Sequence, residues 1–329
     1  MVSAGDDAPR PAPADAPPAV DGDGAPTVDT SDEGPPTDRE EHRKTHDSVS
    51  TADLPLPPLD RDATITIHAY GDVEPRTDPG PPKTGYHLGR TIGRGGLAQV
   101  NAGVQQSFRR PVALKTLRSD KAHQRAQFYA EARTAALLQH PNILPIYDLI
   151  DDRGDVRIVM KQVQGQTWAE RIRQDEAARE AMTPEYIRTQ LAILQDVCQA
   201  LAYAHDQGIL HRDVKPSNVM IGDYGEALLM DWGCAAVYRP RETLADLPRV
   251  DELRHIVGTP CYLAPEQAKV ETGRMGPGTD IYLLGACLFE ILTGQPPHPG
   301  DTLREAIDAA RGNTIIPFCP PAERWDWPE

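Results

Sequence analysis

An eight-residue stretch in the second half of the chain gathers five chemically different polar side chains. It reads His-Arg-Asp-Val-Lys-Pro-Ser-Asn, from His211 to Asn218. Phosphoryl transfer needs such a mixture: a carboxylate for the incoming hydroxyl, a cation for the phosphate, and an amide oxygen for a metal ion. We therefore expect Asp213 to accept the hydroxyl proton and Lys215 to neutralise charge on the phosphoryl group. Asn218 is expected to bind Mg²⁺, a cation that prefers oxygen ligands.

Three further charged residues extend this hypothesis. Asp231 stands directly after a short apolar strand and before Trp232-Gly233, where it is expected to hold the metal ion that bridges the phosphates. Lys115 ends the apolar run Val-Ala-Leu-Lys, and Glu131 lies on the helix that follows. A lone strand lysine is usually a solvated edge charge, and most helix glutamates face water. The neighbouring motifs favour a different interpretation, in which Lys115 pairs with Glu131 and holds phosphate oxygens.

A glycine-rich turn precedes Lys115. Its pattern Gly93-x-Gly95-x-x-Ala98 lies between two predicted strands. A backbone that approaches phosphates closely carries small side chains and offers its N–H groups as donors. A plain hairpin is an equally good interpretation of the turn alone. A dinucleotide-binding turn is disfavoured, because it requires a helix where this sequence predicts a strand.

The elements that must position these residues fall into two groups. The first group is rich in β-structure and the second in helices. Predicted strands are 86–92, 99–105, 110–116, 143–150 and 156–163, with a helix at 121–138. The first predicted helix of the second group begins at Thr183-Pro184, which resembles an N-cap followed by proline at the first helical position, and it ends before Gly208. Beyond it we predict strands at 219–221 and 227–230, and helices at 279–292 and 301–311.

Composition separates the first 84 residues from the rest of the chain. They hold 15 of the 32 prolines, and 18 acidic against 7 basic residues, so most of the net charge of −15 lies there. Such a segment cannot bury enough apolar surface to offset its ordering entropy, so we predict a disordered tail over 1–84 and a folded domain over 85–329. Within the tail, only 63–67 alternates like a strand.

Several function classes are disfavoured by the same composition. The chain is acidic and has no basic patch with interleaved aromatics, so we predict no nucleic-acid partner. Its five cysteines are widely spaced, which argues against a zinc site or disulfide framework and favours a reducing cytoplasm. We see neither a signal peptide nor a run of about 18 apolar residues, so we predict no membrane segment in this chain.

The motifs together resemble one family, the eukaryotic-like serine/threonine protein kinases of bacteria, over about residues 86–329. The resemblance implies an α+β bilobal fold, with a five-stranded N-lobe (85–163) carrying one helix and a mainly helical C-lobe (164–329). It also implies the use of ATP and Mg²⁺. By the same resemblance, Asp280 is a structural aspartate, and Thr259 in the substrate-binding loop contacts Asp213 and Lys215. The residues expected to enclose the adenine ring are Ile92, Val100, Ala113 and Met220, with Met160 as gatekeeper and Lys161 to Val163 as the hinge between the lobes.

The end of the chain departs from the family pattern. The chain stops before the helix that supplies an arginine to the glutamate of Ala-Pro-Glu, so we expect an incomplete C-lobe and no partner for Glu266. Two functions are therefore kept. The first is a cytoplasmic kinase that modifies serine and threonine residues of proteins, itself included, and whose tail threonines recruit phosphothreonine-binding partners. The alternative is a pseudokinase or ATP-binding regulatory module.

Overall fold

The structure is a computed structural model that describes residues 85–96, 98–119, 121–152 and 154–318, together with the backbone of 65–66. All of these residues belong to one compact unit of the chain. The hypotheses about the tail hydroxyls, and those about the residues after 318, lie outside the described ranges.

The first part of the domain is an antiparallel sheet beside one helix. Its elements are β1 (Ile65–Thr66), β2 (Tyr86–Arg94), β3 (Ala98–Gln105), β4 (Arg110–Leu117), α1 (Ala122–Leu137), β5 (Ile146–Asp152) and β6 (Asp155–Lys161). Strands β2 to β6 form one sheet in the order β2-β3-β4-β6-β5, which confirms the predicted five-stranded N-lobe. Strand β5 begins three residues later than predicted, because the backbone of Ile143 bridges to Leu229 in the second lobe instead.

Helix α1 is held by packing more than by local capping signals. Lys121, at its N-cap position, makes no side-chain capping bond. Phe128 and Ala132 lie one turn apart, are buried, and pack against Val156 and Ile158 of β6. Burial of a large apolar side chain such as Phe128 contributes about 1.5–3 kcal/mol. Because this face of α1 is fixed on the sheet, the position of Glu131 beside Ala132 is fixed as well.

The second lobe is mainly helical. Its elements are β7 (Gly165–Thr167), α2 (Trp168–Gln174), α3 (Glu176–Glu180), α4 (Pro184–Asp206), β8 (Ile209–Leu210), β9 (Val219–Gly222), β10 (Ala227–Leu229), β11 (Ala236–Val237), β12 (Val257–Gly258), α5 (Pro265–Lys269), α6 (Pro277–Thr293) and α7 (Leu303–Gly312). Its short strands form two small sheets, β10-β9-β7 and β8-β11, and β12 pairs with β1 from the start of the chain.

Helix α4 is the central helix of this lobe, and its ends agree with the local signals in the sequence. The Thr183 side chain accepts a hydrogen bond from the Tyr186 amide at 3.2 Å, and Pro184 is the first helical residue. After the helix, Gly208 adopts φ +88°, a left-handed conformation that favours glycine. The inward stripe of α4 joins the main core through Ile193, Val197, Ala200, Leu201 and Ala204.

Some elements differ from the sequence prediction. Helices α2 and α3 were not predicted, since they are short and mostly polar, although Thr167 and Glu170 form a capping box at the start of α2. In the predicted strand 63–67, the structure describes Ile65–Thr66 as β1. None of the helices in the described part of the chain has the length and apolar character needed to cross a membrane.

Candidate active site

Lys115 lies where the sheet meets helix α1 and the segment after β10. Across the sheet it pairs with Val100 on β3 and Ile158 on β6. Its Nζ lies 2.5 Å from Glu131 Oε1 and 3.5 Å from Asp231 Oδ1. The structure therefore brings together three charged residues that the sequence separates by up to 116 positions. One ammonium group joins the sheet, helix α1 and the second lobe.

Charge attraction shifts the protonation equilibria of this cluster. The nearby Lys115 ammonium, more than any other group, lowers the pKa of Asp231 below its usual value of 3.8, against the effect of burial. For Lys115, burial lowers the pKa, but attraction to Asp231 and Glu131 outweighs burial, so the net pKa of Lys115 is raised. Both Lys115 and Asp231 are therefore charged at neutral pH, as the phosphate- and metal-binding roles predicted for them require.

Asp280 on α6 is fully buried and holds the backbone of the segment 211–218. Its carboxylate accepts hydrogen bonds from the backbone amides of His211 and Arg212 at 2.9 and 2.8 Å. It also contacts His205 Nε2 on α4 at 2.7 Å. Arg212 adopts φ +69°, an uncommon conformation for a side chain of this size. The three contacts of Asp280 hold this strained turn in place.

His211 fixes the other side of the turn. Its Nδ1 accepts a hydrogen bond from the Asp213 amide at 3.2 Å, and its Nε2 lies 3.1 Å from the Met230 carbonyl oxygen. An acceptor at Nδ1 and a donor at Nε2 together require the neutral imidazole with its proton on Nε2. Its ring also packs on Trp232, with ring centroids 4.6 Å apart. The imidazole thus has a positioning role between the turn and the segment that carries Asp231.

Asp213, Lys215 and Asn218 form one buried polar network with Thr259. Asn218 Nδ2 donates to Asp213 Oδ2 at 2.9 Å and to the Asp213 carbonyl oxygen at 2.8 Å. The Thr259 hydroxyl donates to Asp213 Oδ1 and accepts from Lys215 Nζ, both at 2.7 Å. The contacts of Thr259 predicted from the sequence are therefore present. Lys215 Nζ also lies 3.5 Å from Asp213 Oδ2, so the ammonium and the carboxylate lie side by side.

Asp231 is presented by a sharp turn at the end of β10. It has φ +63° and accepts a hydrogen bond from the Gly233 amide at 3.4 Å. The next residue, Trp232, is 2% exposed, and its indole N–H has no acceptor among the described residues. Gln127 on α1 donates to the Gly233 carbonyl oxygen at 3.0 Å, so this turn is tied to the same helix as Glu131.

The glycine-rich turn joins β2 to β3, as predicted. The Gly95 amide donates to the Ala98 carbonyl oxygen at 2.9 Å and closes the turn. A Cβ atom on Gly93 or Gly95 would meet no other atom closer than 3.6 Å, and neither residue has a left-handed φ. The fold alone does not require glycine at either position, which is typical of a backbone kept clear for a ligand.

The residues predicted to surround an adenine ring occupy both lobes. Ala113 and Met160 are directly opposite each other on β4 and β6, and Val100 lies on the neighbouring strand β3. Ile92 is an exposed apolar side chain on β2, 44% accessible. The remaining two positions are Val163, just after β6, and Met220 on β9.

The prediction that Glu266 lacks a partner was wrong. The Thr279 hydroxyl donates to Glu266 Oε1 at 2.8 Å, and the glutamate is only partly buried. The sequence reasoning also missed Gln267, whose Nε2 donates to the Arg212 carbonyl oxygen at 2.8 Å, and His205, which contacts Asp280. No local pattern marks these residues, since each acts on a backbone or carboxylate far away in the sequence.

Comparison with known proteins agrees with this arrangement. The sequence model of the protein kinase domain family matches residues 86–327 of this chain. The chain is 35% identical over 238 residues to the serine/threonine-protein kinase PknD of Protochlamydia amoebophila, covering 67% of this chain and 24% of that protein. It is 36% identical over 247 residues to the serine/threonine-protein kinase PknB of Mycobacterium leprae, covering 73% and 37% of the two chains.

A third relative is the serine/threonine-protein kinase PknB of Mycolicibacterium smegmatis, 38% identical over 225 residues, which cover 66% of this chain and 34% of that protein. The matched region thus spans between about a quarter and somewhat over a third of the length of these relatives. The matched region contains every charged residue of the network around Lys115 and Asp213. The chain therefore belongs to the family of bacterial-type serine/threonine protein kinases.

Proposed function

We propose that this chain transfers the γ-phosphoryl group of ATP to serine and threonine hydroxyls of proteins, including its own. The observation that carries the proposal is the position of Lys115, which reaches Glu131 at 2.5 Å and Asp231 at 3.5 Å. This pairing connects the phosphate-binding lysine of one lobe to the metal-binding aspartate of the other. A ligand-binding module that performs no chemistry has no need for the separate buried network around Asp213.

The residues present fit ATP. The small residues Gly93, Gly95 and Ala98 leave the turn open to phosphates, and the raised pKa of Lys115 keeps its ammonium charged for the same oxygens. The apolar positions assigned to the adenine ring are Ile92, Val100, Ala113, Met160, Val163 and Met220.

The residues present also fit Mg²⁺. Asp231 keeps a charged carboxylate, and Asn218 uses its amide hydrogens on Asp213, so that its oxygen remains available as an acceptor. Mg²⁺ commonly takes one or two protein ligands and completes its shell with substrate phosphates and water. The bound ion supplies charge neutralisation of the phosphates.

Each residue of the buried network has its own role in the transfer. Asp213 orients the acceptor hydroxyl and takes its proton as the hydroxyl oxygen forms a bond to the γ-phosphorus. The bond from the γ-phosphorus to the bridging oxygen breaks, and that oxygen leaves with ADP. Lys215 stabilises the negative charge on the phosphoryl oxygens during transfer. An aliphatic acceptor is supported by Thr259, which contacts both Asp213 and Lys215 at 2.7 Å.

A radiolabel transfer assay with Asp213→Asn tests this proposal. Loss of the base should lower the transfer rate by about 10²–10⁴-fold, while the exposed control Asp223→Asn keeps the rate of the unmodified chain. Equal incorporation by the Asp213 variant and the control would contradict the assignment. A thermal-shift titration with Mg-ATP should show binding in both variants. Binding without transfer in the unmodified chain would favour the regulatory-module alternative.

Two further features, the domain boundaries and the location in the cell, belong to the same proposal. We keep the domain boundaries at 1–84 and 85–329, with the lobes meeting at residue 163, and the family match over 86–327 supports this division. We place the domain in the cytoplasm, where ATP is available. Burial raises the pKa of the Cys234 and Cys287 thiols well above 9.0, so both remain protonated and unreactive, as suits such a compartment.

The tail threonines are proposed as autophosphorylation sites that recruit phosphothreonine-binding partners. Mass spectrometry of the purified chain tests this, with Lys115→Met as the inactive control. Phosphate on tail peptides of the unmodified chain alone is the expected result. Unmodified peptides, or equal modification of the two proteins, would exclude autophosphorylation there.

A further inference from the structure

One pair of strands joins two parts of the chain that are far apart in sequence. Strand β1 runs antiparallel to β12, with Ile65 opposite Gly258 and Thr66 opposite Val257. Within the described residues, β12 pairs with no other strand. A segment that precedes the kinase domain therefore supplies the backbone partner of β12.

Strand β12 lies directly against the catalytic stretch. Thr259, the next residue, contacts Asp213 Oδ1 and Lys215 Nζ. Gly258 has φ +126°, and a Cβ atom there would lie 2.8 Å from Leu263 Cδ2 and 3.1 Å from the Arg212 carbonyl oxygen. This close approach fixes β12 beside the turn that carries Asp213. An extended peptide paired with β12 thus runs one residue away from the proposed catalytic network.

We infer that β1 occupies the backbone edge on which extended peptide substrates pair, so that Ile65–Thr66 competes with them in cis. The competition with substrates rests on the proposed function, whereas the pairing of β1 with β12 is independent of it. Addition of a strand to an exposed edge uses main-chain hydrogen bonds and therefore accepts many sequences. Because the two segments belong to one chain, a short tether gives an effective concentration on the order of millimolar. Even weak pairing then competes with a peptide at micromolar concentration.

The test replaces both residues with proline in the full chain, Ile65→Pro with Thr66→Pro. In an antiparallel pair only alternate residues exchange hydrogen bonds, so the double change removes whichever amide takes part. The matched control is Ala52→Pro with Asp53→Pro, two prolines elsewhere in the same tail. Equal melting temperatures for the three proteins would show that the domain remains folded.

The first measurement is independent of catalysis. Amide hydrogen exchange at Val257–Gly258 should be faster in the Ile65/Thr66 variant than in the control. A fluorescent peptide that copies residues 60–71 should bind the variant about three- to tenfold more tightly, because the tethered competitor has lost its backbone bonds. Unchanged exchange, or equal peptide binding, would overturn the inference.

The second measurement uses phosphoryl transfer to a short threonine peptide. The KM for the peptide should fall about three- to tenfold in the variant. The KM for ATP should stay constant, since β1 pairs with β12 and not with a strand of the five-stranded sheet that carries the glycine-rich turn. An unchanged peptide KM in active enzyme would overturn the competition. If none of the proteins transfers phosphate, the proposed function fails, and the exchange and binding results alone decide whether β1 covers this edge.

Discussion

Replacement of Asp280 by asparagine tests whether the catalytic turn is held from α6. The native carboxylate is fully buried and accepts from two backbone amides, His211 N at 2.9 Å and Arg212 N at 2.8 Å, besides contacting His205 at 2.7 Å. Asparagine has the same shape but only one acceptor oxygen. Its NH₂ group must therefore face at least one buried N–H donor.

The cost follows from these contacts. A hydrogen bond to a charged group contributes about 1.5–3 kcal/mol, and a buried donor left without an acceptor costs about 1–3 kcal/mol. We expect Asp280→Asn to lower the free energy of unfolding by about 3 kcal/mol. For a domain of this size, that loss lowers the Tm by roughly 6–12 °C. Because Arg212 holds a strained φ of +69°, the turn should relax and displace Asp213, lowering kcat by about tenfold or more.

Differential scanning calorimetry measures the first effect and peptide phosphorylation at saturating ATP the second. The control is Asp223→Asn, an exposed residue on the turn between β9 and β10, for which the Tm should change little. A Tm shift for Asp280→Asn no larger than that of the control would refute the reasoning. It would show that the backbone of His211 and Arg212 keeps its conformation without the carboxylate.

Two further substitutions test the surroundings of Asp231, the proposed metal ligand. Trp232→Phe removes a buried indole N–H that has no acceptor among the described residues, so the Tm should stay constant or rise by a few degrees. A clear fall would mean that the ring volume matters more than the unsatisfied donor. Lys115→Met removes the main cause of the lowered pKa of Asp231, so that pKa should rise in a ¹³C carboxyl NMR titration. A lowered folded-state pKa contributes stability that is present above 3.8 and is lost as the pH falls through the lowered value, so the variant should lose this contribution. Lys161→Met, which breaks the 3.3 Å pair with Glu226, should leave the pKa of Asp231 unchanged, and an equal shift in both variants would contradict the assignment.

Local signals in the sequence were enough for the longer helices and strands and for the order of the reactive groups along the chain. Helix α4 is the clearest case, because Thr183 and Pro184 start it and Gly208 ends it through interactions with their immediate neighbours. The five-stranded sheet followed in the same way from apolar runs separated by turn residues. The motifs around Lys115 and Asp213 predicted phosphoryl transfer, since the functional groups of these side chains are fixed by residue type.

The tertiary structure decided how these groups meet. The bonds from Asp280 to the turn at Arg212, and from Thr279 to Glu266, join residues whose types alone do not reveal their partners. Likewise, alternation at 63–67 indicated a strand but not that Ile65 would pair with Gly258, almost two hundred positions later. Capping hydrogen bonds and hydrophobic periodicity act over a few residues and can be read from the sequence. Contacts between distant segments depend on the packing of both lobes, which fixes the site only once the chain has folded.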